Sequence, residues 1–215
     1  MQSISIRLLA LWLLMLTNFE SSFGEEGPIC DSKMSMTEAL QGVSPKCPQS
    51  IIADLVLIDV EYVGMDGNLH TGQVVAHRDL EEDLRHVFGI AKACRFPIQS
   101  VIPVSNEKFR HDGTWGDELS MEANNTSCFN FRQITNGGKL SNHALGRAID
   151  INPKLNPYIK GQLVLPKGAT YDPLRKGTLT REHPVTQAFL ERGWEWGGEW
   201  TSLKDYQHFE KPAKP

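Results

Sequence analysis

The segment from Leu55 to His77 constrains the fold of this chain more than any other part of it. LVLIDVEYV (55–63) is rich in branched aliphatic residues, MDGN (65–68) is typical of a tight turn, and QVVAH (73–77) is again strand-like. We therefore predict a β-hairpin in this part of the chain.

A helix is predicted directly after this hairpin. Apolar residues recur at helical spacing from Leu80 to Ala91, and Asp79 with Glu82 resembles a capping box. Pro97 closes the segment, because proline cannot continue a helix.

The rest of the chain continues this mixture of strands and short helices. Further strands are predicted over 98–104, 128–134 and 146–152, a loop rich in proline and glycine over 153–179, and a short helix over 183–192. The predicted fold class is therefore α+β, with a mostly antiparallel sheet and a few helices.

The N-terminal segment is predicted to be an export signal rather than part of the folded domain. Arg7 precedes the apolar run LLALWLLML (8–16), and small residues follow at SSFG (21–24). The apolar run is shorter than the roughly 20 residues that a membrane span needs. We expect an exported protein, periplasmic or secreted, without stable insertion in a membrane. The expected organisation is a signal peptide (1–24), a cysteine-containing lead-in (25–52) and the main domain (53–215).

The net charge limits the kind of partner. The chain has a formal net charge of −4, and removal of the predicted signal leaves that value unchanged because Arg7 and Glu20 leave together. Proteins that bind nucleic acid usually present a basic face. We therefore expect no nucleic-acid partner.

The four cysteines all follow the predicted signal, and an oxidising compartment would allow them to form two disulfides. Three connectivities are possible, and we expect Cys30–Cys47 and Cys94–Cys128 because the partners of each pair are nearest in sequence. A metal site built from cysteines is the competing interpretation. The absence of any C-x-x-C pair disfavours it.

The stretch SNHALGRAIDIN (141–152) carries the first candidate site residues. Asp150 lies between Ile149 and Ile151, so a strand would place the isoleucines on one face and the carboxylate on the other. A buried charge without a partner is costly. The partner of Asp150 could be a salt bridge or a metal ion, and His143 is a candidate second ligand.

A second candidate segment, DYQHFE (205–210), lies near the C-terminus. His208 follows Asp205 by three residues, so a single turn could present both side chains to one site. Catalytic zinc sites use three protein ligands and leave one position open, and a nearby carboxylate can act as general base. The residue types fit a site of His143, Asp150 and His208 with Asp205 as base. Spacing alone leaves open an ordinary set of hydrogen-bonded polar residues in a sheet.

These segments resemble the zinc D-alanyl-D-alanine peptidase family. SNHALGRAID (141–150) matches the S-x-H-x-x-G-x-A-x-D signature of that family, and WGGEWTSLKDYQHFE (196–210) looks like its second metal segment. NNTSCFNFRQITNGGKLSNHALGRAIDINP (124–153) and the GW-x-WGG-x-W tail look closest to the L-alanyl-D-glutamate endopeptidase branch. The resemblance extends over roughly residues 53–210, and the lead-in is not part of it.

The resemblance implies a hedgehog-like fold for the main domain and one Zn²⁺ per chain. His143, Asp150 and His208 would bind the zinc, and Asp205 would be the general base. Glu195, Glu199 and Glu210 are other carboxylates near the second segment that could take the role of base.

Two further residues receive roles from the resemblance. Arg132 would stabilise the developing oxyanion and contact the substrate, and Ser141 would contact the substrate. A surface arginine on a strand and a hydroxyl that caps the local backbone are the structural alternatives.

The implied function is hydrolysis of a peptide bond in peptidoglycan stem peptides, with the L-alanyl-D-glutamate endopeptidases as the most similar type. A D-alanyl-D-alanine carboxypeptidase, a non-catalytic zinc-containing binding module and a disulfide-stabilised binding protein without metal are the alternatives. The presence of both Asp205 and Arg132 favours the enzyme, because a structural zinc site needs neither residue.

Overall fold

The computed structural model describes residues 27–134 and 138–213. The predicted signal peptide (1–24) lies outside the described residues. Within the described ranges, every helix is too short or too polar to cross a membrane.

The described residues form a mixed α+β structure, as predicted. Six of the nine strand pairings are antiparallel and three are parallel. The α-helices are α1 (Met36–Ala39), α2 (Gln49–Ala53), α3 (Glu81–Ala93), α4 (Asp117–Glu122) and α5 (Pro184–Glu191). Short 3-10 helices cover Arg78–Leu80, Glu107–Phe109, Asn142–Leu145 and Gly197–Glu199. The strands are β1 (Ile29–Cys30), β2 (Leu55–Gly64), β3 (Leu69–His77), β4 (Pro97–Ile98), β5 (Ser100–Val101), β6 (Arg110–His111), β7 (Thr114–Trp115), β8 (Asn125–Thr126), β9 (Ala148–Asp150), β10 (Tyr158–Lys160), β11 (Leu163–Leu165), β12 (Glu195–Trp196), β13 (Lys204–Asp205) and β14 (His208–Glu210).

The predicted hairpin is confirmed and forms the centre of a four-stranded sheet. Strands β2 and β3 pair antiparallel in a register that runs from Leu55 opposite His77 to Val63 opposite Leu69. The turn closes through a 2.8 Å hydrogen bond from the Gly64 amide to the Asn68 carbonyl. Strands β1 and β4 flank the hairpin in the order β1-β3-β2-β4.

The predicted helix after the hairpin is also confirmed, but the predicted capping box of Asp79 and Glu82 is wrong. The first turn is a 3-10 turn that begins earlier than the capping box would require. The ring of His77 accepts the amide hydrogen of Asp79 there, and α3 has no side-chain cap. Buried residues of α3 join the sheet and α5 in the main core, which includes Leu84, Phe88 and Phe189.

A second, smaller core cluster joins the lead-in to the hairpin. Ala39, Cys47, Leu55, Val75 and Phe129 form its buried centre. The lead-in is also more regular than expected, because it contains α1, which has a reciprocal capping box, and α2. Residues of the lead-in therefore pack directly against the strands of the main domain.

The predicted disulfides were wrong, because all four cysteines are free. Each expected pair would have joined an exposed residue to a buried one in a different environment. Cys30 is exposed on β1, whereas Cys47 lies in the smaller cluster. Cys94 is exposed at the end of α3, whereas Cys128 lies in the main core. Nearness in sequence did not predict nearness in space.

Two predicted strands and one predicted loop also differ from the structure. The segment 98–104 contains only β4 and β5, each two residues long. The segment 128–134 forms no strand, because Phe129 bonds to Val75 of β3 while the next amide, that of Asn130, bonds to His143. The predicted loop 153–179 contains the antiparallel pair β10 and β11.

The chain segment 204–210 joins two small sheets at one point. Strand β13 pairs with β10, which places Asp205 opposite Tyr158. Strand β14 pairs with β9 and β12, which places His208 opposite Asp150. The predicted single turn is therefore a two-residue link between strands of different sheets.

Candidate metal centre and active-site cleft

The three predicted ligands lie together in the structure. His143 comes from a 3-10 helix, Asp150 from the end of β9 and His208 from the start of β14, and all three are buried. One potential ligand atom from each lies within 4.8 Å of the others. As predicted for a strand, Ile149 and Ile151 are buried in the main core on the opposite face.

Hydrogen bonds on the far side of each imidazole determine which ring nitrogen faces the other two residues. Nδ1 of His143 lies 2.7 Å from the carbonyl oxygen of Cys128, which can only accept, so Nδ1 carries a proton. Nε2 of His208 lies 3.0 Å from Oε2 of Glu210, which also accepts from Asn142. Such partners orient metal-binding histidines and fix their tautomers.

The remaining nitrogens and the carboxylate converge on one point. Nε2 of His143 lies 3.1 Å from Nδ1 of His208, and the two nitrogens lie 3.2 Å and 3.0 Å from oxygens of Asp150. If Nδ1 of His143 and Nε2 of His208 carry the protons, Nε2 of His143 and Nδ1 of His208 each present a lone pair to the carboxylate of Asp150. Such an arrangement requires a cation between these three groups. A proton shared by the rings or a metal ion could supply that charge.

The electrostatics of these three residues agree with that requirement. Burial works to raise the pKa of Asp150, but the neighbouring His143 and His208 outweigh it and hold the pKa well below its usual range. Burial works to lower the pKa of His208, but Asp150 and Glu210 outweigh it and raise that pKa. The site therefore holds positive charge strongly.

The donor set fits zinc in chemistry and in size. Two imidazoles and one carboxylate are ligands that zinc accepts in catalytic sites. Ligands about 2.0–2.1 Å from a tetrahedral ion have donor atoms roughly 3.3 Å apart. The three observed separations of 3.0–3.2 Å are close to that value. His143, Asp150 and His208 could therefore bind a zinc ion.

Asp205 lies beside these residues in a cleft of about 440 Å³ that both groups line. Partial burial raises the pKa of Asp205 to about 6. No ion pair involves Asp205 in the part of the chain that the structure describes. A general base works best when its pKa is near the working pH, so this carboxylate suits proton transfer.

Close packing fixes the position of Asp205. A Cβ added at Gly197 would lie 2.5 Å from the carbonyl oxygen of Asp205 and 2.8 Å from its Cβ. Only glycine therefore allows this approach between the 3-10 helix at 197–199 and β13.

Arg132 and Ser141 also line the cleft, on the side of α4. Arg132 forms an ion pair with Asp117, with 2.9 Å between Nε and Oδ2. The hydroxyl of Ser141 accepts the amide hydrogen of His143 at 3.2 Å, so it caps the 3-10 helix that carries this residue. Their roles toward substrate stay predictions.

Of the three other carboxylates considered as base, only Glu210 lines the cleft. Its Oε2 accepts hydrogen bonds from His208 and Asn142. Glu195 is exposed on β12, and Glu199 forms an ion pair with Arg181. Of these carboxylates, Asp205 is thus the one that lines the cleft without an ion-pair partner in the described residues.

Sequence reasoning missed several residues that shape the site. Asn142 precedes His143 directly, and Gln207 lies between Asp205 and His208, so position within the motifs was the available signal. Asp117 carried no local signal, because it reaches Arg132 from a different element. The missed residues that line the cleft include Asp117, Asn142, Tyr158, Lys160 and Gln207.

The segment that carries both motifs matches a known protein family. Residues 135–211 match a family model described as D-alanyl-D-alanine carboxypeptidase. The match confirms the resemblance to that family for this segment, which includes the three candidate ligands and Asp205 but begins after Arg132. The extension of the resemblance back to residue 53 stays a prediction. It indicates a zinc metallopeptidase that acts on peptidoglycan peptides. No solved structure was found to match the chain.

Proposed function

We propose that this protein is an exported zinc peptidase that hydrolyses a peptide bond in peptidoglycan stem peptides. The observation that carries the proposal is the position of Asp205, a carboxylate without an ion-pair partner in the described residues, beside three convergent ligands in one cleft. A hedgehog-like fold of the main domain and a signal peptide at 1–24 belong to the same proposal.

His143, Asp150 and His208 would hold the zinc in this proposal. When bound, zinc supplies a Lewis acid that polarises the scissile carbonyl and makes water more acidic. Asp205 takes the proton from the attacking water, and its raised pKa suits that transfer. The same carboxyl group can then protonate the leaving amine.

Arg132 would stabilise the oxyanion in this proposal, and its charge and its place in the lining of the cleft support that role. Nε of Arg132 is paired with Asp117, and Nη1 donates a long hydrogen bond of 3.5 Å to the carbonyl oxygen of Gln133, so Nη2 is the nitrogen that we assign to the substrate. A fixed guanidinium at a developing negative charge lowers the free energy of the transition state.

An L-alanyl-D-glutamate endopeptidase is the activity that we favour, because that branch resembles this chain in using Asp as the base. The description of the matching family favours the second candidate, a D-alanyl-D-alanine carboxypeptidase. A binding module with a structural zinc would not need the cleft carboxylate of Asp205.

Product analysis by mass spectrometry distinguishes these activities. The purified protein is incubated with a disaccharide pentapeptide, before and after zinc removal. We expect release of a peptide that begins with D-glutamate, whereas loss of one terminal alanine would show the carboxypeptidase. Full hydrolysis after verified removal of zinc would contradict both.

A further inference from the structure

Gln207 is a buried amide in the two-residue link between β13 and β14. Only 3% of this residue is exposed. Its backbone carbonyl accepts the amide hydrogen of Ile151 at 3.0 Å, so the link is tied to the chain beside Asp150. Gln207 therefore lies between the proposed base and a predicted zinc ligand, in a link that is hydrogen-bonded to the chain beside Asp150.

The side chain of Gln207 binds the proposed base directly. Its Nε2 donates to Oδ1 of Asp205 at 3.2 Å. A carboxylate can only accept, which fixes the nitrogen of the amide toward Asp205. In the described residues this is the one hydrogen bond that the carboxylate of Asp205 receives.

The other end of the same amide is unsatisfied. Oε1 of Gln207 is buried and has no hydrogen-bond partner among the described residues. A buried polar atom without a partner costs folding free energy, so an apolar side chain of similar size would suit the fold better. The amide is thus explained by its contact with Asp205 rather than by stability.

We infer that Gln207 is a positioning residue for the general base. Its hydrogen bond holds Oδ1 of Asp205, so that the second oxygen is free for the proton transfer. This inference rests on the proposed function. It adds a residue that was not among the predicted site residues and whose proposed role is exercised through its hydrogen bond to Asp205.

The test compares Gln207→Met and Gln207→Glu with the wild type. Methionine keeps the volume and removes the donor, and glutamate keeps the shape but places an acceptor against Asp205. Gln187→Met is the matched control, because Gln187 lies on α5 and does not line the cleft. Zinc content, thermal unfolding, kcat and KM on a muropeptide are measured for each.

We expect both Gln207 variants to keep zinc and to lose kcat by about tenfold or more with KM unchanged, as expected for a misplaced base. Gln207→Met should be at least as stable as the wild type. Unchanged kcat would overturn the inference, and so would loss of zinc, which would make Gln207 a support of the ligand strand. A wild type without zinc-dependent hydrolysis would overturn the proposed function and, with it, this inference.

Discussion

Nε2 of His208 donates a hydrogen bond to Oε2 of Glu210, 3.0 Å away, and so leaves Nδ1 of His208 directed at Asp150. The two residues are neighbours on the same face of β14, because they are two positions apart in one strand. A carboxylate behind a ligating imidazole fixes its orientation and raises its basicity.

Glu210→Ala should therefore weaken zinc binding by about 10–100-fold. Glu210→Gln should have a smaller effect, because its amide oxygen can still accept from Nε2. The measurement is zinc affinity in competition with a chelator. Glu195→Ala is the control, because Glu195 is exposed and pairs with Glu210 across the ladder. An unchanged affinity of Glu210→Ala would show that the hydrogen bond is not needed.

Gly197→Ala should reduce turnover without loss of zinc. The added methyl group would meet the backbone of Asp205 at 2.5 Å, so β13 must shift and carry the proposed base with it. Gly89→Ala in α3 is the matched control, because a Cβ there meets nothing within 4 Å. Kinetics of both variants on a muropeptide test this, and equal turnover would mean that Asp205 tolerates the shift.

The free cysteines predict a particular pattern of thiol reactivity. Cys30 and Cys94 are exposed, whereas burial raises the pKa of Cys47 and of Cys128. Because the thiolate is the reactive form, two thiols should react rapidly with a chromogenic disulfide reagent in the native protein. All four should react after denaturation without reductant. A total below four would show that a disulfide forms.

Asp83 should stabilise the fold in a pH-dependent way. It accepts hydrogen bonds from Arg192, Trp194 and Lys211 at 2.9, 2.9 and 2.7 Å. Burial works to raise the pKa of Asp83, but hydrogen bonds from Lys211, Trp194 and Arg192 outweigh it and lower that pKa. A lowered pKa means that the stabilisation is present above the unfolded value of about 3.9 and is lost as the pH falls through the folded value.

Asp83→Asn should therefore lower the free energy of unfolding by about 2 kcal/mol at pH 7. The difference from the wild type should shrink as the pH falls below about 4. Urea unfolding of both proteins across this range is the measurement. A difference that grows toward acid pH would mean that the pKa of Asp83 is raised.

The features predicted from sequence were those with a local signal. The hairpin at 55–77 follows from residue types that alternate over a few positions and from its turn residues. The candidate ligands were predicted because two short motifs contain them, and the isoleucines around Asp150 indicated its strand.

The features missed depend on contacts between distant segments. The segment 128–134 has strand-like residues, but successive amides bond to different elements, so no ladder forms. The cysteine pairs could not be predicted, because spatial separation is set by the packed elements between them. Asp117 reaches Arg132 only through the placement of α4.

The zinc content of Asp205→Asn, measured beside its turnover on a defined muropeptide, distinguishes a general base from a metal ligand at position 205. Asparagine keeps the shape of the side chain but cannot take up the proton. We expect the variant to retain about one zinc per chain and to lose roughly a hundred- to ten-thousand-fold in kcat. A variant that kept its zinc and turned over at the normal rate would contradict the role of Asp205 as base, and loss of the zinc would instead make Asp205 a ligand.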